Sequence, residues 1–402
     1  MKINYIDTLF SLSYALDCVE QELLGISSGH GKRVAYLSVH MGQALGLDEY
    51  RLTDLAACAL LHDCALTEYI HEEYQGSYTD ASVELHSFEL HCIYGERNMD
   101  AIPSYYPAEA KNAVLYHHET ANGKGAFGKK ANETPLYAQL IHLANELDTH
   151  FQMNQISARE LSAIDAFIQN NSDSLFDSRI VSCFQKSFQK EHFTKLQDSM
   201  IDKSLHEILP SYERELTPQQ VIQFAGIFAA IIDYKSKVTR THSMNIAKNA
   251  KKLGEYYGAG EELAAKLYLA GALHDIGKLA INLDTLEKPD KLTEQEYKHM
   301  QQHAYQTFLI LRSIRGMEDV TRWASYHHEK LDGSGYPFRL TAPDLDHWSR
   351  MIACLDIYQA LIEDRPYKEG MPHSKACGIL HAMAEADQLD SRIVQDISQQ
   401  LC

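Results

Sequence analysis

The sequence predicts an all-α protein made of two copies of one helical domain. Three observations carry that prediction. Turn formers are thin, with 21 glycines and 10 prolines in 402 residues, both below average usage. Apolar residues recur at helical rather than alternating spacing. The 21 histidines include a series that occurs twice.

The first series is His30, His62-Asp63, His91, His117-His118 and Asp148. The second is His242, His274-Asp275, His303, His327-His328 and Asp356. The leading intervals are the same in both, 32 residues and then 29. The later ones are 26 and 30 in the first series against 24 and 28 in the second. The string DSRIV follows in each, at Asp177–Val181 and Asp390–Val394. Matched landmarks in one order are the signature of an internal repeat. His86 and His299 break the shared spacing and are read as surface or structural residues.

Element signals agree. Leu263, Leu267, Ala270 and His274 share one helix face, which points His274 inward, and Leu55, Cys58 and His62 repeat the pattern. Thr293 with Glu296 is a capping box ahead of the helix that carries His303. Thr217-Pro218 reads as an N-cap followed by Pro at the first helical position. The expected division is a first domain over 1–195, a helical linker over 196–216 and a second domain over 217–402.

Bulk properties exclude several classes. The net charge of −18 argues against polymeric nucleic acid as a partner, because phosphate backbones need clustered Lys and Arg. The longest apolar run, Phe224–Ile232, falls short of the ~20 residues that span a bilayer, so no membrane is expected. The N-terminus has no basic-then-apolar pattern, so the expected location is the cytoplasm. The eight cysteines (18, 58, 64, 92, 183, 354, 377 and 402) form no CxxC pair and are read as reduced. Cys64 and Cys92, beside the histidines, are read as core filler.

The repeated residues are ligand types. On a helix, His274 and Asp275 point about 100° apart and both can face one metal cluster. A carboxylate bridges two cations and an imidazole does not. Asp275 is therefore expected to bridge one metal held by His242, His274 and Asp356 and another held by His303, His327 and His328. Mixed imidazole and carboxylate ligation suits iron or manganese. Metals ~3.5–4 Å apart are a device for phosphoester hydrolysis.

The segments HDIGKLAI (His274–Ile281), HHEKLDGSGYP (His327–Pro337) and EDRPYK (Glu363–Lys368) resemble the HD-GYP subfamily of HD-domain phosphohydrolases, over roughly 217–394. The resemblance implies a helical bundle, a metal centre of two or three ions, and hydrolysis of a cyclic dinucleotide, cyclic di-GMP first and cyclic GMP-AMP second, to a linear one. It implies metal ligation by His242, His274, Asp275, His303, His327, His328 and Asp356. Asp275 and Lys278 would be catalytic, with Lys278 contacting a substrate phosphate. Gly335, Tyr336 and Pro337 would shape the mouth, and Arg365 would approach the substrate or brace the site. Two departures matter. Val238 stands where three-metal members carry Glu, which predicts two metals. Gln359 replaces the second acid of the DxxDAL string.

The first copy keeps His30, His62, Asp63, His91, His117, His118 and Asp148 but not the strings around them. Leu66 stands in place of Lys278, and NGKGAF (Asn122–Phe127) in place of DGSGYP. It resembles the HD superfamily broadly. Three readings stand: a structural or regulatory partner, a metal-bound phosphatase acting on the linear product, or a ligand sensor. For the whole chain, the alternative to a phosphodiesterase is a catalytically weak sensor or partner-binding protein. A second copy of the chain and a cyclase are its candidate protein partners.

Overall fold

The computed structural model describes residues 1–25, 27–74, 88–157, 159–210, 213–235, 241–288, 290–364 and 369–401. His86, Val238, Arg365 and Cys402 lie outside the described residues. The only strands among those described are Lys2–Asn4 and Glu213–Glu215, which pair antiparallel with Ile3 opposite Arg214. The other described residues are helix or connection.

The chain divides into two compact units, Tyr5–Tyr212 and Met1–Asn4 together with Glu213–Cys402. The division differs from the sequence-based one at the amino end. Met1 exchanges backbone hydrogen bonds with Leu216 (2.8 and 2.9 Å), and that pairing ties the first four residues to the second unit. The stretch expected to link the domains packs with the first unit instead. Its helix Ile201–Ile208 buries Ile201 and Leu205 and lies against the helix His30–Ala44.

In the second unit the helix Glu261–Leu273 is central. It packs against Pro218–Lys235, His242–Tyr256, Glu318–Ser325 and His347–Ile362. Every described residue from Leu267 to Leu273 is buried, and Leu263 is only half-buried. The single inward face read from the sequence is therefore an underestimate. A helix ringed by helices needs no polar side. Its crossing with the helix His242–Tyr256 is close: a Cβ on Gly271 would sit 2.8 Å from the Cα of Ala247. Only a glycine facing an alanine lets the backbones meet there, one turn before His274.

The first unit repeats the plan. The helix Glu49–Leu60 is buried from Leu52 onward and packs on His30–Ala44, which also meets Leu136–Phe151 and Ser178–Ser187. Corresponding helices match in length: 15 residues after His30 and His242, and 16 for those carrying Asp148 and Asp356. The repeated DSRIV is an N-cap motif. Asp177 accepts from the Arg179 amide, and Asp390 accepts from those of Arg392 and Ile393, the expected work of Asp at that position.

Thr293 and Glu296 form the expected capping box, and Thr217 Oγ1 accepts from the Gln220 amide as the helix Pro218–Lys235 begins. Among the described residues no helix is long and apolar enough to cross a membrane.

Gly271→Ala is expected to gain about 1 kcal/mol of helix propensity and lose about 1–3 kcal/mol to overpacking. A net fall in melting temperature by calorimetry is the expected outcome.

Candidate metal centres

The second unit gathers its ligand-type side chains at one end of the central helix. The sequence placed His274 and Asp275 together on that helix. Instead the helix stops at Leu273, His274 caps it, and Asp275 opens a short 3-10 turn, Ile276–Ala280. The stop has a physical cause. His274 Nδ1 takes the carbonyl of Gly271 at 2.8 Å, and the His274 carbonyl accepts from Thr307 Oγ1 at 2.9 Å. Both groups belong to the last turn, whose carbonyls lack helical partners.

The same device orients other histidines. His303 Nδ1 meets the Met300 carbonyl at 2.7 Å and His327 Nδ1 the Ala324 carbonyl at 2.6 Å. Each ring thus donates from Nδ1 to the carbonyl three residues back, which leaves Nε2 to face the centre as an acceptor.

Asp275 lies between two groups of imidazoles. Its Oδ2 is 3.0 Å from His274 Nε2 and 3.9 Å from His242 Nε2. Its Oδ1 is 3.4 Å from His303 Nε2 and 3.9 Å from His327 Nε2. Asp356 sits 3.2 Å from His242 Nε2 and 3.5 Å from His328 Nδ1. The ligand atoms fall into sets spaced for a cation: His242, His274 and Asp356; His303, His327 and His328; and His274, Asp275 and His327. His274 Nε2 and Asp275 Oδ1 are buried without an aligned hydrogen bond. Polar atoms left that way cost ~1–3 kcal/mol each, and a metal ion would satisfy them. The residues present fit a metal centre.

Charge is arranged to match. Burial, opposed by Asp275 and reinforced by His328 and Lys278, pushes His303 down to about 3. Burial and the neighbouring imidazoles hold His327 well below the usual histidine range. Both are neutral at pH 7 and ready to ligate. His242 is the exception. Burial works against its charge, yet hydrogen bonds to Asp356 and to Glu363 (2.8 Å to Nδ1) hold it up at about 9. Lys278 pairs with Asp275 Oδ2 and keeps part of its side chain exposed.

Glu363 was missed as a partner of His242, although it is the first residue of the quoted EDRPYK string. It lies seven residues after Asp356, two helical turns on the same face, and that spacing was the available signal. Asn245 steadies it from Nδ2 at 3.1 Å.

The mouth loop is locked to the His327-His328 pair. The buried Glu329 carboxylate collects the amides of Phe338, Arg339 and Leu340 at 2.6, 3.1 and 2.9 Å. A Cβ on Gly335 would lie 2.5 Å from the Glu329 Cα, so only glycine fits. Tyr336 is thereby set with its ring 4.7 Å from His328, and Pro337 follows it through a cis bond.

The first unit brings its series together in a similar way. Asp63 Oδ2 is 3.2 Å from His62 Nε2, and Oδ1 is 3.5 and 3.6 Å from His91 and His117 Nε2. His62 and His117 again donate from Nδ1 to carbonyls three residues back. Sets spaced for a cation are His30, His62 and Asp63, and His91, Cys92, His117 and His118. Among the described residues the buried Nε2 atoms of His30 and His62 make no aligned hydrogen bond, so this site also fits a metal. Cys92 Sγ lies 3.6 Å from His91 Nε2, while Cys64 is buried with its Sγ toward the Gly95 carbonyl.

Three differences separate the copies. Leu66, at the Lys278 position, is buried against Tyr69 and Ile70. Ala126 replaces Tyr336, although the loop skeleton survives: Glu119 accepts from the amides of Phe127 and Lys129, and a Cβ on Gly125 would lie 2.6 Å from the Glu119 Cα. The sequence reading that only ligands were kept is corrected on this point, because glycines and a buried acid fix the loop whatever residue sits at its tip. Third, Asp148 is gripped by Arg33, which nothing in the ligand series announced. Arg33 Nε donates to Oδ1 at 2.6 Å and Nη2 to Oδ2 at 3.0 Å.

The HD domain family matches residues 21–180 and again 226–393. The 3'3'-cGAMP-specific phosphodiesterase 1 of Vibrio cholerae is 29% identical over 97% of this chain and 90% of its own length. The cyclic di-GMP phosphodiesterase PA4108 of Pseudomonas aeruginosa is 35% identical over 37% of this chain and 35% of its own. A crystal structure of a cyclic GMP-AMP phosphodiesterase from V. cholerae (V-cGAP3) covers 100% of this chain and 98% of its own with a TM-score of 0.67 at 23% identity. That likeness supports the shared fold.

At pH 7.5 His242 carries a proton that a metal must displace, so metal affinity is expected to rise with pH up to about 9. Manganese titrations by calorimetry in buffers of different ionisation heat should show net proton release. Asp275→Asn is expected to abolish metal retention by the second unit, read as metal per chain.

Proposed function

We propose that this chain, which belongs to the HD-domain family in both halves, is a cyclic-dinucleotide phosphodiesterase whose reaction runs at the second centre. The observation that carries this reading is Asp275, with one carboxylate oxygen turned to each group of imidazoles and the partly exposed Lys278 paired with it. The centre is assigned two divalent ions, iron or manganese, by its imidazole-rich donor set.

Bound cations would supply Lewis acidity for the phosphodiester and lower the pKa of a water. The protein does the rest. The Glu363–His242 and carbonyl–histidine hydrogen bonds fix the rings before substrate arrives. Lys278 offers a positive charge to a phosphate oxygen. Tyr336, held by the Glu329-braced loop, presents an aromatic face at the mouth, suited to stacking on a base.

We take cyclic GMP-AMP as the preferred substrate and cyclic di-GMP as the runner-up, because a relative aligned along 97% of this chain carries the former in its name. We place the reaction in the cytoplasm, a reading supported by seven free cysteines among the described residues. For the first centre we favour removal of a terminal phosphate from the linear product. Asp63 repeats the two-sided geometry of Asp275, while Leu66 removes the phosphate-binding lysine.

Turnover of cyclic GMP-AMP, cyclic di-GMP and cyclic di-AMP by the manganese-loaded chain, followed side by side by chromatography, tests this. Hydrolysis of none of them would defeat the enzyme reading. Lys278→Leu is expected to lower the rate on the order of 10²-fold with metal content unchanged. His62→Ala should leave the linear dinucleotide with its phosphate still attached.

A further inference from the structure

The two copies use corresponding aspartates differently. In the second copy Asp356 faces His242 Nε2 at 3.2 Å, on the metal side of the ring, while Glu363 takes Nδ1 at 2.8 Å on the far side. In the first copy Asp148 takes Nδ1 of His30, at 2.7 Å, and His30 Nε2 has no hydrogen-bond partner among the described residues. Asp148 therefore occupies the role of Glu363, not that of Asp356. Seven residues beyond Asp148, where Glu363 would correspond, stands Gln155, which is exposed.

The brace has been exchanged along with the acid. Three residues after the leading histidine, Asn245 donates to Glu363 at 3.1 Å in the second copy. The same position in the first copy is Arg33, which forks onto both oxygens of Asp148. Arg33 is fully buried. Its remaining donors are tied to the Ser28 carbonyl, Asp198 and Ser27 Oγ at 2.6, 2.9 and 2.7 Å. A guanidinium fixed on so many sides does not swing away, and a paired fork holds a carboxylate's plane and neutralises its charge.

We propose that Asp148 is not a metal ligand in the first copy but the positioning residue of His30, held in that role by Arg33. The cation on that side is then held by His30, His62 and Asp63 alone, one anionic ligand fewer than its counterpart has. The first centre should bind its metal more weakly, so that the two copies fill at different metal concentrations. This rests on the reading that the first copy binds metal at all.

The test is manganese binding by the full-length chain. Titration of the unmutated protein should resolve two affinity classes. Asp275→Asn should remove the tighter and leave the weaker, and a single class would overturn the proposal. After gel filtration of the loaded protein, Asp356→Asn should lose about one ion per chain, whereas Asp148→Asn should keep the wild-type count. Equal loss in both variants would overturn it. Arg33→Asn, which installs the second copy's residue, should tighten the weaker class roughly tenfold by freeing a carboxylate; unchanged or weaker binding counts against it. An Asp275→Asn chain that retains no manganese would instead defeat the metal reading of the first copy, and this proposal with it.

Discussion

Asp275 is buried where burial is least favourable to a carboxylate, and the imidazoles around it and Lys278 hold its pKa well below the usual range against that burial. The surrounding structure serves this one charge. The central helix must end just before it. Gly277, two residues on, has no room for a Cβ, which would lie 2.0 Å from the His303 carbonyl, so the turn carrying Asp275 presses directly on the helix carrying His303. Gly271 does the same on the other side against Ala247. Small residues on both flanks let three backbone segments converge, and convergence brings side chains from distant parts of the chain within reach of one carboxylate.

Histidine orientation follows from the same economy of partners. A helix end leaves carbonyls without amide donors. Placing the imidazole there satisfies one carbonyl and aims Nε2 inward in a single hydrogen bond. The hydrogen bond recurs at His62, His117, His274 and His327 and, in mid-helix, at His303, so both units use one orienting rule. His30 and His242 stand at helix starts and take an acid on Nδ1 instead. There the copies diverged: each found an acid, but a different one.

Divergence elsewhere followed packing. In the second unit Gly277 faces Thr307, whose hydroxyl bridges the Gly277 amide and the His274 carbonyl. In the first unit the corresponding residues are Ala65 and Gly95, with Ala65 Cβ 4.0 Å from where a Cβ on Gly95 would stand. The residue without a Cβ stands on the other side of this contact. The mouth loop kept Glu119 and Gly125 while losing its tyrosine. Geometry is retained at fixed volume, and chemistry is free to change at the tip.

The sequence by itself determined the all-α class, the repeat and both ligand series, because metal ligands are fixed by residue type and by spacing that a rigid scaffold cannot relax. It also gave the caps at Thr217 and Thr293, which are local hydrogen bonds between near neighbours. Only the tertiary structure decided which nitrogen of each histidine faces inward, that Glu363 backs His242, and that Asp148 turns to Arg33. The last two depend on contacts more than a hundred residues apart in sequence, where a side chain selects between partners of equal chemistry by position alone. The histidine and aspartate at 274 and 275 could be read as ligands from their identity. Their separation at a helix end, which turns one carboxylate toward two sets of rings, came from packing.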